Sequence, residues 1–249
     1  MFGLDLSALM LMCAALALGA TVKGATGMGL PLVALPVLTA VFGLQHAVGL
    51  MAVPILLTNV MQVWRFRGIA RAPELGFLTR MLVLGMVGVV IGTVALTMVP
   101  ERWLVLALGV ILLAYVALKL FNPHLTVSTA QARQVAAVPG FFAGILQGAT
   151  GISAPIGVTF IHAMGLARDA HVFAVSAMFL VFEMVHVPAL FAMGVMRAEW
   201  LLHGALALIP ILLFMPLGQF LAGKLSRRAF DRMILLFLGL MGLKMSLGL

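Results

Sequence analysis

Long apolar blocks separated by short polar interruptions run the length of this chain. Two of them hold no Asp, Glu, Lys or Arg at all: Gly24 to Trp64, 41 residues, and Gln134 to Ala167, 34 residues. As one helix the first would be about 60 Å long, roughly twice the hydrocarbon thickness of a bilayer, so each block must be broken internally. Gly, Pro and polar residues mark the breaks. They divide the chain into apolar segments at 4–22, 29–43, 46–64, 76–98, 102–120, 135–147, 153–166, 170–193, 200–222 and 230–248. The second and seventh hold only about 14 residues, short of the ~20 that a comfortable span needs, and are expected to be half-helices or re-entrant elements. Two polar stretches, Arg65 to Arg80 and Asn122 to Arg133, predict connections outside the lipid.

At 64% hydrophobic and 9% charged residues the chain cannot cover a water-facing surface, which needs roughly a quarter of its residues charged. Lipid therefore surrounds most of it. A disordered protein, a disulfide-stapled module and a sizeable catalytic domain outside the membrane are excluded. Cys13 is the single cysteine, so no intramolecular disulfide forms. The net charge of +8 is scattered between apolar runs and builds no dense basic patch with aromatics, which argues against a nucleic-acid partner. The stretch before the first apolar run carries Asp5 and neither Lys nor Arg, so no cleavable signal peptide is expected.

A repeat emerges across the middle of the chain. Gly24-Ala25-Thr26-Gly27-Met28-Gly29-Leu30-Pro31 matches Gly148-Ala149-Thr150-Gly151-Ile152-Ser153-Ala154-Pro155 at a shift of 124, and Gly68 to Glu74 matches Gly194 to Glu199 with one residue omitted. Five apolar segments per copy is an odd number, which turns the second copy upside down. The expected fold is an all-α polytopic membrane protein. It would comprise two inverted-topology repeats, residues 1–121 and 134–249, joined by a linker at 122–133, with short broken or re-entrant helices at the Gly-rich motifs. Basic residues test the orientation. Connections after odd-numbered segments hold Lys23, Arg65, Arg67, Arg71, Arg80, Lys119, Arg133, Arg168, Lys224, Arg227, Arg228 and Arg232, against Arg102, Arg197 and Lys244 on the other side. That bias puts the first group in the cytoplasm of a bacterial inner membrane and both termini outside.

The Gly-rich blocks are the best pointer to a substrate site, because corresponding Gly/Pro-interrupted segments of inverted repeats carry the sites of transporters. Backbone unwound at Gly24, Gly27 and Gly29, and at Gly148 and Gly151, would expose N–H groups inside protein. Pro31 and Pro155 would sit in the first turn of the following half-helix, where a missing donor costs nothing. A half-helix N-terminus favours an anion, and Thr26, Thr150, Ser153 and Gln147 would add donors. Packing alone is the competing account of these glycines, and Gly140, Gly144 and Gly148 at spacings of four are assigned to it. Lys23 has two open roles, contact with the anion or anchoring at the cytoplasmic interface.

Glu183 is the sole charged residue between Ala170 and Met196, and His186 follows three positions later on the same helical face. An intramembrane ionisable residue is a functional candidate, so Glu183 with His186 is read as a proton-coupling pair. A neutral Glu183 bonded to a carbonyl freed by Pro188 is the alternative. Asn59 and Gln62 occupy the equivalent helix of the first half and face the pathway or link helices, with Asn59 counted among the binding residues. His46, His162 and His203 read as isolated, lying near an interface or satisfied within the core. No nucleotide-binding, metalloprotease or serine-hydrolase motif is present, and Glu183 and His186 form one pair where a di-metal bundle site needs two. No cofactor, no metal and no enzymatic activity are expected.

The Gly-rich segments ending in Pro31 and Pro155, each followed by a helix and a Gly-x-x-Arg connection at Gly68 and Gly194, resemble the sulfite exporter TauE/SafE family of membrane transporters, also called TSUP. The resemblance implies secondary transport of sulfite, sulfonates or other small anions. From the residues themselves follows a duplicated, anion-friendly site, with an anion channel or, at greater distance, an intramembrane enzyme as the alternatives.

Overall fold

A computed structural model describes residues 6–122, 126–221 and 227–248 of the chain. Among them every regular element is helical: α1 (Leu6–Thr26), α2 (Leu30–Phe42), α3 (Leu44–Arg65), α4 (Leu78–Met98), α5 (Glu101–Phe121), α6 (Thr129–Val135), α7 (Ala137–Thr150), α8 (Gly157–Ala163), α9 (Arg168–Ala192), α10 (Ala198–Leu221) and α11 (Arg227–Leu247). Each of the ten apolar segments becomes one helix, with α6 as an addition. Pro123, His124 and Lys224 lie outside the described residues.

Six helices of the described residues are long and apolar enough to cross a membrane: α1, α3, α4, α5, α9 and α10. α2 and α8 are short as expected, at 13 and 7 residues, and α7 is short too, at 14. Backbone hydrogen bonding runs on from α6 into α7 through Ala136 N to Ala132 O and Gly140 N to Ala136 O. Pro139 explains the break between them: it has no N–H for the carbonyl of Val135 four residues back and its ring crowds that carbonyl. The stretch expected to be linker thus becomes helix from Thr129. It starts at a capping box in which Ser128 Oγ accepts from Gln131 N and the Gln131 side chain accepts from Ser128 N. This end is docked on the other polar connection: Arg133 donates to Pro73 O at 2.6 Å and Arg80 donates to Arg133 O at 2.9 Å.

The most intimate contact in the bundle is between α4 and α7. Methyl groups added at Gly140, Gly144 and Gly148 would strike the carbonyls of Met81, Gly85 and Val89 in rising order, so the two helices run parallel with their backbones touching. Packing is the role expected for these three glycines. α1 and α10 meet in the same way, Gly24 on the Met215 carbonyl and Gly218 on that of Thr21. α3 and α9 form the centre: 61% of the apolar window of each is buried, against 22% for α5. Outward-facing Val83, Val87 and Ile91 on α4, and Leu212, Leu213 and Phe220 on α10, present the apolar surface that lipid covers.

Candidate functional site

Both Gly-rich blocks break their helices at the same point. α1 ends at Thr26 and α7 at Thr150; the next residues, Gly27 and Gly151, take φ of 81° and 74°, a left-handed backbone that a side chain would strain. Bulk around them is matched as well, since Gly27 packs on Val172 of α9 and Gly151 on Leu35 of α2 and Val48 of α3. The threonines brace the break. Thr26 Oγ1 lies 2.9 Å from Val22 O and 2.8 Å from Met28 O, while Thr150 Oγ1 donates to Leu146 O at 2.7 Å and accepts from Ile152 N. Their hydroxyls are turned back onto the chain, which corrects their expected place as free donors. Gly24 and Gly148 are inside helices rather than unwound, because close packing against α10 and α4 requires them there. Pro31 is the second residue of α2, as its chemistry asks, whereas Pro155 sits in the turn that precedes α8.

Two buried polar pairs flank the breaks. Lys23 is 2% exposed and its Nζ donates to Asn59 Oδ1 at 2.7 Å, so the side chain turns inward instead of anchoring at an interface. Gln147 Nε2 donates to Glu183 Oε2 at 3.0 Å, and His186 Nδ1 lies 3.8 Å from the same oxygen. Glu183 therefore meets an amide rather than a carbonyl. Its Oε1, Gln147 Oε1, Ser153 Oγ and both His186 ring nitrogens are buried without a hydrogen-bond partner. Gln62 of α3 links the first Gly-rich block to α9: its amide nitrogen donates to Gly27 O at 3.2 Å and its oxygen accepts from Ser176 Oγ at 2.9 Å. Ser176 was missed from the sequence, although a serine in the apolar face of α9 is a signal of the same kind as Glu183.

A half-open cavity of about 710 Å³ reaches into the bundle between the two blocks. Thr26, Met28, Gly29 and Leu32 line it from the first block and the start of α2; Ala154 and Val158 line it from the second. Lys23, Gln147, Glu183 and His186 are not among its lining residues. Basic and aromatic residues that the sequence reading assigned to no site form its wall: Tyr115 and Lys119 of α5, His162 of α8, Arg168 and His171 of α9. His162 is not isolated, since its ring meets that of His171 edge to face at 5.7 Å. Nor are His46 and His203, whose ring nitrogens are 3.1 Å apart beside Trp200. On the opposite ends of α2, α5 and α11 a smaller cavity of about 200 Å³ lies among Thr39, Glu101, Arg102, Lys244 and Met245, and touches neither Gly-rich block.

Apolar helices wrapped around a cavity that ends on two broken helices define a multi-pass membrane protein of the transport class. The family model described as Sulfite exporter TauE/SafE matches residues 11–245, and the chain belongs to that family. No curated protein and no solved structure matches it.

Proposed function

We propose that the protein is a secondary carrier for small anions, sulfur-containing ones such as sulfite or organosulfonates, which exports them from the bacterial cytoplasm by alternating access coupled to protons. The observation that carries this reading is a single cavity ending on both Gly-rich blocks in a chain of this family. N–H groups in the first turn of α2, which have no partner within the helix, give the cavity floor donors suited to an anion. Thr26 and Gly29 line that floor, while Gly27, Thr150, Gly151 and Ser153, which do not line it, form the two helix breaks. Glu183, unpartnered at one oxygen and beside His186, is the group we assign to the proton.

Two inverted repeats are the machinery of this reading, and the packing supports them. Exchanging α1 with α7, α3 with α9 and α4 with α10 carries the α1·α10 contact onto α7·α4 and α3·α10 onto α9·α4, and leaves α3·α9 in place. The correspondence holds to single residues. At a shift of 124 the Lys23–Asn59 bond becomes Gln147–Glu183, and the contact of Gly27 with Val172 becomes that of Gly151 with Val48. A further match, Glu101-Arg102 to Leu108-Gly109 with Asp231-Arg232 to Leu238-Gly239, extends the repeat to α5 and α11. On this reading α2 and α8 re-enter, residues 1–121 and 134–249 are the moving halves, and both termini lie outside.

Flux measured in proteoliposomes tests it. Sulfite, thiosulfate, sulfonates and carboxylates are screened with and without a proton gradient, and saturable counterflow that responds to the gradient is expected. Flux that rises linearly with concentration and shows no counterflow would mean a channel.

A further inference from the structure

The mouth of the large cavity carries a cluster that the floor does not need. Lys119 on the last turn of α5, Arg168 at the first position of α9, and the His162–His171 pair all line it. Lys119 Nζ sits 5.9 Å from the centroid of the Tyr115 ring, which keeps the ammonium against the wall. Arg168 is exposed, so its guanidinium is open to an incoming solute. Among the described residues no Asp or Glu lines the cavity, and Asp169, next in sequence, is outside the lining. The described charges at the mouth are thus Arg168 and Lys119, and low-dielectric walls concentrate the field they set up.

The α8 and α9 members of the cluster have no counterpart at the other face, where the small cavity carries Arg102 and Lys244 beside Glu101 instead. At the shift of 124 that relates the hydrogen-bonded pairs, Arg168, His162 and His171 correspond to Leu44, Leu38 and Ala47, all fully buried and apolar. Whatever these groups do is done at one face of the protein.

Resting on the reading of the protein as an anion carrier, we propose that Arg168 and Lys119, with His162 and His171, form a capture site for a small oxyanion and make loading from this face tighter than from the other. A guanidinium fork matches two oxygens of a sulfite, sulfonate or carboxylate head, and the ammonium adds a point charge. Such rim charges raise the local anion concentration and the rate of encounter, and they are screened by salt. The capture site holds the anion at the mouth, from where it passes to the floor at Thr26 and Gly29.

Arg168→Gln, Lys119→Gln and the double variant are compared with wild type in right-side-out and inside-out vesicles, using sulfite and ethanesulfonate as probes. Labelling of Asp169→Cys in a Cys13→Ala background identifies which vesicles present the cavity face. The double variant should raise KM from that face about tenfold or more while KM from the opposite face stays put, with Arg168→Lys recovering part of the loss. Arg65→Gln, an exposed basic residue absent from the cavity lining, controls for surface charge and should leave both values unchanged. An unaltered KM, or an equal rise from both faces, overturns the proposal. Thermal stabilisation by the same two probes in detergent reads the site without transport. If no anion is carried, the transport reading fails, yet stabilisation that the double variant loses still supports the capture site. Equal stabilisation of both proteins, or none of the wild type, overturns it.

Discussion

Lys23 and Glu183 are two ionisable side chains set deep in apolar helices, and each faces a neutral amide. A buried amine donor needs an acceptor, because stranding it removes hydration with nothing in return. Asn59→Leu should therefore destabilise the protein by about 2 kcal/mol in detergent denaturation, a typical cost of leaving a buried donor unsatisfied. Lys23→Met combined with Asn59→Leu should recover most of that loss, since both polar partners go together; a double variant no better than the single one would refute the pairing. Glu183→Gln keeps the shape and a bond to Gln147 but removes the titrating group. Anion exchange should persist while dependence on the proton gradient disappears, and a retained gradient response excludes Glu183 as the coupling site. Lys23 and Glu183 were legible in the sequence as lone charges in apolar runs, and Asn59 and Gln147 as amides in charge-free ones. Their pairings were not, since each bond spans 36 positions and needs the relative rotation of two helices. The histidines failed for the same reason: His46 and His203 meet across 157 positions, and His162 and His171 across the turn at Gly165.

Helix–helix contact in lipid gains no hydrophobic drive, so backbones must approach closely, and α4 against α7 achieves this with glycines from both sides. Gly85, Gly88 and Gly92 complete what Gly140, Gly144 and Gly148 begin. A methyl at Gly148 meets the Val89 carbonyl and cannot be relieved by rotating a side chain. Gly148→Ala should cost on the order of 2 kcal/mol or more, in the range of overpacked cores, when thermal unfolding is followed in detergent. Gly68→Ala, with nothing near the new methyl, should be neutral, and equal behaviour of the two would contradict the packing. Helix boundaries were readable from sequence because Gly, Pro and charge punctuate apolar runs sharply, as at Gly43 and Pro100. α6 was hidden by its polar composition, even though Ser128 and Gln131 carry a start signal; polarity argued for a loop where the capping chemistry argued for a helix. The matching glycines of α4 went unread because spacings of three and four are common in apolar helices and declare no partner.

At the scale of the whole molecule, two cavities among the described residues bear on the proposed carrier cycle. One of about 710 Å³ reaches both Gly-rich blocks from the ends where α5 stops and α9 starts; the other, about 200 Å³, stops short at the far ends of α2 and α11. They touch matching places, since Val105 and Met245 beside the small one correspond to Leu235 and Tyr115 beside the large one at the shift of 130 that aligns α5 with α11. A carrier built from inverted halves should exchange these two shapes when its substrate crosses, the opened mouth closing as its counterpart opens. Glu101 helps hold the closed end, its carboxylate accepting from Leu44 N at 2.6 Å at the start of α3. His162 on the open side is exposed and its counterpart Leu38 is fully buried, which gives the exchange a readout. In a Cys13→Ala background, His162→Cys should react with a membrane-impermeant thiol reagent from the cavity face, and Leu38→Cys should be inert. Glu101→Gln, or a saturating anion gradient imposed from the opposite face, should make Leu38→Cys reactive from that face and slow the labelling of His162→Cys. Reactivity at position 38 that never appears under either condition would mean that the small cavity is not the other half of a transport path.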